Sequence, residues 1–192
     1  MYINIKLKEK TSSGSTIRFV NFPVDVGALK AATLSAYLES GTQYDPIRSD
    51  NYISLGNNQF PSISPNTTLI VSLSTKEIES CKEDEKKNMP ENGRLVCCMV
   101  KNVGKAFNNN LMEIVSNSWG NIFEMDSGNL ISAPDGTLYI STDKKGECKI
   151  QTKNKASDSY LSYSILFSFI FEDRNYYFIL DPVIRITSSG NG

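Results

Sequence analysis

Tyr160-Leu161-Ser162-Tyr163-Ser164-Ile165-Leu166-Phe167-Ser168-Phe169-Ile170-Phe171-Glu172 is the stretch whose reading decides the fold. Leu161, Tyr163, Ile165, Phe167, Phe169 and Phe171 recur at every second position. Ser162, Ser164 and Ser168 fall between them, with Leu166 and Ile170. Side chains alternate across a strand, so this pattern predicts one long β-strand with an aromatic face and a serine-rich face. A strand so aromatic and uncharged must be buried centrally or used in assembly, because an exposed edge of this kind aggregates.

Working outward, Glu172-Asp173-Arg174-Asn175 reads as a turn into a second strand, Tyr176 to Leu180. Asp181-Pro182 interrupts it, and Val183-Ile184-Arg185-Ile186 resumes. Upstream, Thr137–Ser141 and Cys148–Gln151 flank Asp143-Lys144-Lys145-Gly146, whose composition predicts a hairpin loop. Leu95 to Val103 is a strand. Met112–Ser118 and Ile122–Met125 pair as a hairpin around Trp119-Gly120-Asn121. Seven or so short strands with polar turns predict an antiparallel β-sandwich over 94–187, with a tail at 188–192.

The polar stretch from Thr75 to Gly93, with Lys82-Glu83-Asp84-Glu85-Lys86-Lys87, is too charged for a core and reads as a linker over 76–93. Before it, Ile3, Ile5 and Leu7 alternate with Tyr2, Asn4, Lys6 and Lys8 as a half-buried strand. Thr11-Ser12-Ser13-Gly14 turns the chain into a strand at 15–22, stopped by Pro23. Asp25 caps a helix from Val26 to about Glu39, with Val26, Leu29, Thr33 and Ala36/Tyr37 as its stripe, widened by Leu34 and Leu38. Gly41 ends it. A short strand at 52–55, an Asn57-Asn58 turn and a strand at 68–73 follow.

Strand, strand, helix, short strand, strand, opened by Tyr2/Ile3/Ile5 and closed by Ser64-Pro65-Asn66-Thr67-Thr68-Leu69-Ile70-Val71, resembles the ubiquitin-like β-grasp over residues 1–75. The resemblance implies a protein-contact module. The terminal Gly190-Asn191-Gly192 is not the diglycine of a conjugated modifier. The ending Ser162-Tyr163-Ser164-Ile165, Asp173-Arg174-Asn175, Tyr177-Phe178 and Asp181-Pro182-Val183-Ile184 resembles the last strands of bacterial inclusion-body (PixA-like) proteins. The central Gly-Asp and Arg-rich strand of that pattern are missing. Val100-Lys101-Asn102, Trp119-Gly120 and Ile131-Ser132-Ala133-Pro134-Asp135-Gly136-Thr137 resemble membrane-binding sandwiches of the aegerolysin type. The expected class is therefore mainly β, α+β overall: a β-grasp-like domain followed by an antiparallel sandwich.

The chain of 192 residues has no histidine. That removes Ser-His-Asp triads, Cys-His dyads and His-containing zinc sites. No P-loop or G-x-G-x-x-G occurs. Net charge is −1, so no global field favours nucleic acid or anionic membrane. The basic pairs Lys86-Lys87 and Lys144-Lys145 read as solvated turns. No apolar run reaches the roughly 18–20 residues of a spanning helix, and the alternating N-terminus lacks the apolar core of a signal peptide. The expected location is cytoplasmic. Four cysteines occur, Cys81, Cys97, Cys98 and Cys148. Adjacent Cys97 and Cys98 must face opposite sides of a strand, so buried free thiols are expected and a disulfide from Cys81 or Cys148 is the alternative.

No catalytic, cofactor-binding or metal residue is assigned, and no cofactor is expected. The candidate contact surface comprises Trp119, Tyr176 and Tyr177. Trp119 is either core or a lipid- or sugar-contacting anchor. Tyr176 and Tyr177 must place aromatics on both faces of one strand. Glu124, Asp126 and Asp135 would suit calcium if gathered at one end. Glu124, Asp126, Glu172, Asp173 and Asp181 are the carboxylates from which an acid–base pair would come. The expected function is non-enzymatic binding or self-assembly through sheet surfaces, in a structural or inclusion-forming protein. The expected partner is a second copy or another protein, and not nucleic acid. A lipid- or glycan-binding sandwich is the alternative, and a carboxylate enzyme the second.

Overall fold

The computed structural model describes residues 1–35, 41–54, 63–76, 91–102, 119–155, 159–181 and 183–186. In chain order these form β1 (Tyr2–Thr11), β2 (Gly14–Pro23), α1 (Val26–Ser35), β3 (Ile47–Arg48) and a single 3-10 turn at Asp50–Tyr52. Then come β4 (Thr67–Ser74), β5 (Gly93–Asn102), α2 (Trp119–Ile122), β6 (Phe123–Glu124), β7 (Asn129–Ser132) and β8 (Leu138–Ser141). The chain continues with β9 (Cys148–Thr152), β10 (Ser159–Phe171), β11 (Arg174–Leu180) and β12 (Val183–Ile186).

The fold is mostly β, in two sheets. One has the order β2-β1-β4-β9-β6. The other runs β3-β11-β10-β5-β8-β7, with β12 continuing beside β10. β10 is central, as its aromatic alternation requires. β5 lies along one side, and β11 and then β12 along the other. All six alternating residues from Leu161 to Phe171 are buried. β5 inserts one extra residue at Val96, opposite the step from Leu166 to Phe167. This bulge keeps both Leu95 and Cys98 facing inward.

The core is asymmetric in composition. The first sheet contributes branched side chains: Ile3, Ile5 and Leu7 from β1, Leu69, Val71 and Leu73 from β4, and Ile150 from β9. The second adds a cluster of rings to its own branched side chains. Phe167 stacks on Phe178 at 5.6 Å, and Phe169 meets Phe167 edge-on at 5.9 Å.

The sheets do not respect the division expected at residues 76–93. β9, from the second half of the chain, hydrogen-bonds to β4, with Leu69 opposite Ile150. β3, from the first half, runs parallel to β11, with Ile47 opposite Phe178. β1 and β4 are antiparallel, and residues 1–75 do not close a sheet alone. The physical reason is that β4 is buried along nearly its whole length. Its second edge needs a partner, and β9 supplies it. The linker residues 77–90, residue 187 and the tail at 188–192 lie outside the described residues.

Local expectations meet mixed outcomes. Asp25 does cap α1, its Oδ1 accepting from Ala28 N at 2.9 Å. Leu29 and Thr33 are buried, but Leu34 is 57% exposed, so the stripe is narrower than expected. Residues 36–40, the Asn57-Asn58 turn and the strand at 112–118 lie outside the described residues. Of the segment at 52–55, residues 52–54 supply the end of a 3-10 turn and a single bridge, Ile53 to Val24, and Leu55 lies outside the described residues. The loop at 143–146 forms as expected. Asp143 Oδ1 accepts from Lys145 N and Glu147 N, and Gly146 has φ 70°. Its two strands, however, belong to different sheets, so this hairpin is a corner of the sandwich.

Candidate functional site

Trp119 belongs to the core. It is 3% exposed and stacks on Phe123 at 6.0 Å. The residues around it form the short helix α2, where a hairpin apex was expected. A ring buried this way cannot insert into a lipid interface or stack on a sugar, which corrects its place in the contact surface. No described residue accepts from its indole N–H.

Tyr176 and Tyr177 separate as strand alternation demands. Tyr176 packs partly buried beside Phe171, with ring centroids 6.2 Å apart. Tyr177 lies on the outer face, opposite Ser168, and accepts a hydrogen bond from Asn175 Nδ2 at 3.0 Å. That outer face holds two further rows, Ile131-Tyr139-Met99-Ser164 and Cys97-Leu166-Ile179. Ile131 is 61% exposed and Ile170 41%. Of the expected surface, Tyr177 alone lies on this face.

The carboxylates do not converge. Glu172 and Asp173 form the β10–β11 turn, both with positive φ, and Glu172 lies 3.9 Å from Lys30. Asp181 stands at the far end of β11, about 25 Å of strand away. There it meets Arg48 at 3.5 Å and accepts from the Ser164 hydroxyl. Glu124 lies on the other sheet. Asp135 is held in its own turn, accepting from Thr137 N at 3.0 Å and Thr137 Oγ1 at 2.9 Å. Those bonds hold its carboxyl below the usual 3.8. Among the described residues, no three of His, Cys, Asp and Glu gather as metal ligands would.

The thiols are placed as strand geometry predicts. Cys98 and Cys148 are buried between the sheets, and Cys97 faces outward, partly covered. Burial pushes the Cys97 thiol up to about 11, and pushes Cys98 and Tyr163 up as well. These groups stay protonated at neutral pH and are poor nucleophiles. Cys81 lies outside the described residues.

A feature that sequence reading missed is the outer edge of β2, which no described strand pairs over residues 14–19. The strand is ten residues long and ends its sheet. Val24 N donates to Met1 O, which makes the even-numbered residues of β2 those that bond to β1. The backbone groups of Ser15, Ile17 and Phe19 therefore point away from the sheet. Near Pro23 the edge is covered, with Ser54 N donating to Pro23 O. Over residues 14–19 no described strand covers it. Ile17 and Phe19 lie beside Lys8 and Lys6 of β1, and the Lys6 ammonium sits 6.0 Å from the Phe19 ring centre. The signal was present in the alternation of 15–22, but nothing in a sequence tells an edge strand from a central one.

No described helix is long and apolar enough to cross a membrane. No family model matches the chain, and no curated protein or solved structure matches it.

Proposed function

We propose that this chain is a non-enzymatic binding protein that joins other polypeptides, its own copies among them, through its sheet surfaces. The observation that carries this reading is the outer edge of β2 over residues 14–19, which no described strand covers. Unpaired N–H and C=O groups on an extended strand are a template for a further strand. This edge carries no proline before Pro23 and only one charge, that of Arg18. On the outer face of the second sheet the exposed Ile131 and Ile170 support the same reading, while Leu166 and Ser168 at its centre are buried. β10 is not the assembling element, since both its edges are paired.

Light scattering coupled to size-exclusion chromatography over a wide concentration range tests the self-association arm. Growth in mass with concentration, abolished by Ile17→Pro, is expected. A strict monomer at every concentration removes self-assembly. In that case an edge-binding partner must protect the Ile17 and Phe19 amides from hydrogen exchange in a bound complex. A partner that binds without protecting them overturns the edge as the site.

A further inference from the structure

The chain passes from one sheet to the other at the corner formed by residues 142–147. β8 leaves the second sheet, and after one loop β9 enters the first. Thr142 still bridges to Cys148 across the turn. Close to that pivot, Cys148 reaches from β9 to the opposite sheet, its Sγ donating to Ile140 O at 3.1 Å. Ile140 is the residue directly opposite Cys98 in the β5–β8 ladder. Cys98 itself points inward from β5, wholly buried, beside the residue whose carbonyl Cys148 contacts. Backbones of β5 and β9 approach within 8 Å Cα to Cα. Two buried thiols on facing strands, one contacting the carbonyl of the residue opposite the other, are candidates for a cross-link between the sheets.

We propose that Cys98 and Cys148 form a site of covalent modification, an inter-sheet disulfide made by exchange with a small-molecule disulfide. The first thiolate attacks the reagent disulfide, giving a mixed disulfide and releasing one small thiol. The second attacks that mixed disulfide, closing the Cys98–Cys148 bond and releasing the second small thiol. The protein loses two electrons and two protons, and the reagent gains them. Both sulfurs are inaccessible in the folded sandwich, so exchange takes place during folding, when β9 docks onto β4 and carries Cys148 past β5. The bond closes a loop of 50 residues' separation, spanning both sheets, and it constrains the unfolded chain strongly.

The test refolds the full chain from denaturant in a glutathione disulfide and glutathione mixture, then maps peptides without reduction. Tryptic peptide 95–101 joined to 146–149 is expected, with a melting temperature about 8–16 °C above that of the reduced protein. Because 95–101 also holds Cys97, the map is repeated on the C81S/C97S variant, where the same link and shift are expected. In C148S the shift disappears. Free Cys98 and Cys148 after oxidative refolding overturn the proposal. So does either of them paired with Cys81, Cys97 or glutathione alone, or a cross-linked chain that melts below the reduced one.

Discussion

Truncating Trp119 to alanine separates a core tryptophan from a contact tryptophan. The ring stacks on Phe123 at 6.0 Å and is 3% exposed. A tryptophan buries roughly 200 Å², which at about 25 cal/mol per Å² is worth ~5 kcal/mol at most. Alanine recovers part of that, and the cavity left behind adds to the loss, so the expected cost is about 3–5 kcal/mol. In a chain of this size that lowers the melting temperature by roughly 6–20 °C. It is a large share of the ~5–15 kcal/mol that holds a domain folded. Trp119→Phe keeps the stack and removes an indole N–H that no described residue accepts. Relief of that unmet donor offsets lost volume, so its cost stays under about 2 kcal/mol. Urea denaturation followed by circular dichroism reads both variants. In the parent protein the single indole is expected to emit at short wavelength and to resist acrylamide quenching, given its burial. A cost below ~1 kcal/mol for W119A, together with long-wavelength, readily quenched emission, refutes the burial on which this reasoning rests.

The ladder parity of β2 predicts opposite outcomes at neighbouring positions. Ile17→Pro removes an outward donor and costs under about 1.5 kcal/mol, whereas Arg18→Pro breaks a bond to β1 and costs ~3 kcal/mol or more; parallel denaturation curves compare them. Gly128 lies so close to β9 that a Cβ there falls 2.1 Å from Lys149 O, and Gly128→Ala is expected to destabilise by more than ~2 kcal/mol in the same assay. Asp135, with its folded pKa depressed, stabilises the turn above its unfolded pKa and loses that contribution as pH falls through the folded value. Carbon-detected NMR titration should place its midpoint below 3.8, and Thr137→Val should return it toward the ordinary range.

Much of the secondary structure is legible because it follows from period and punctuation. β10 declares itself by six alternating apolar positions, α1 by Asp25, and the 143–146 loop by Asp143 and Gly146. What period cannot supply is partnership. Cys148-Lys149-Ile150-Gln151 has the same alternation whichever sheet it joins, and only the unfilled edge of β4 decides the matter. Trp119 stands next to a glycine with no apolar rhythm around it, so its direction was open until α2 placed it. Tyr177 is the converse case: Tyr176 and Phe178 packing inward leave it outward by alternation alone. The proximity of Cys98 to Cys148 is invisible in one dimension, because it depends on how the sandwich turns its corner.

The strand exchange between halves of the chain has a consequence for how the molecule is made. β4 ends at Ser74, and its far neighbour ends at Thr152. On the ribosome, at roughly 5–20 residues per second, β4 waits about 4–16 s for that neighbour to be synthesised. Throughout that interval Leu69, Val71 and Leu73 stand on a strand with one bare edge and no opposing aromatic layer. Until β9 is made, the N-terminal half therefore presents apolar side chains along an edge that its own described strands do not pair.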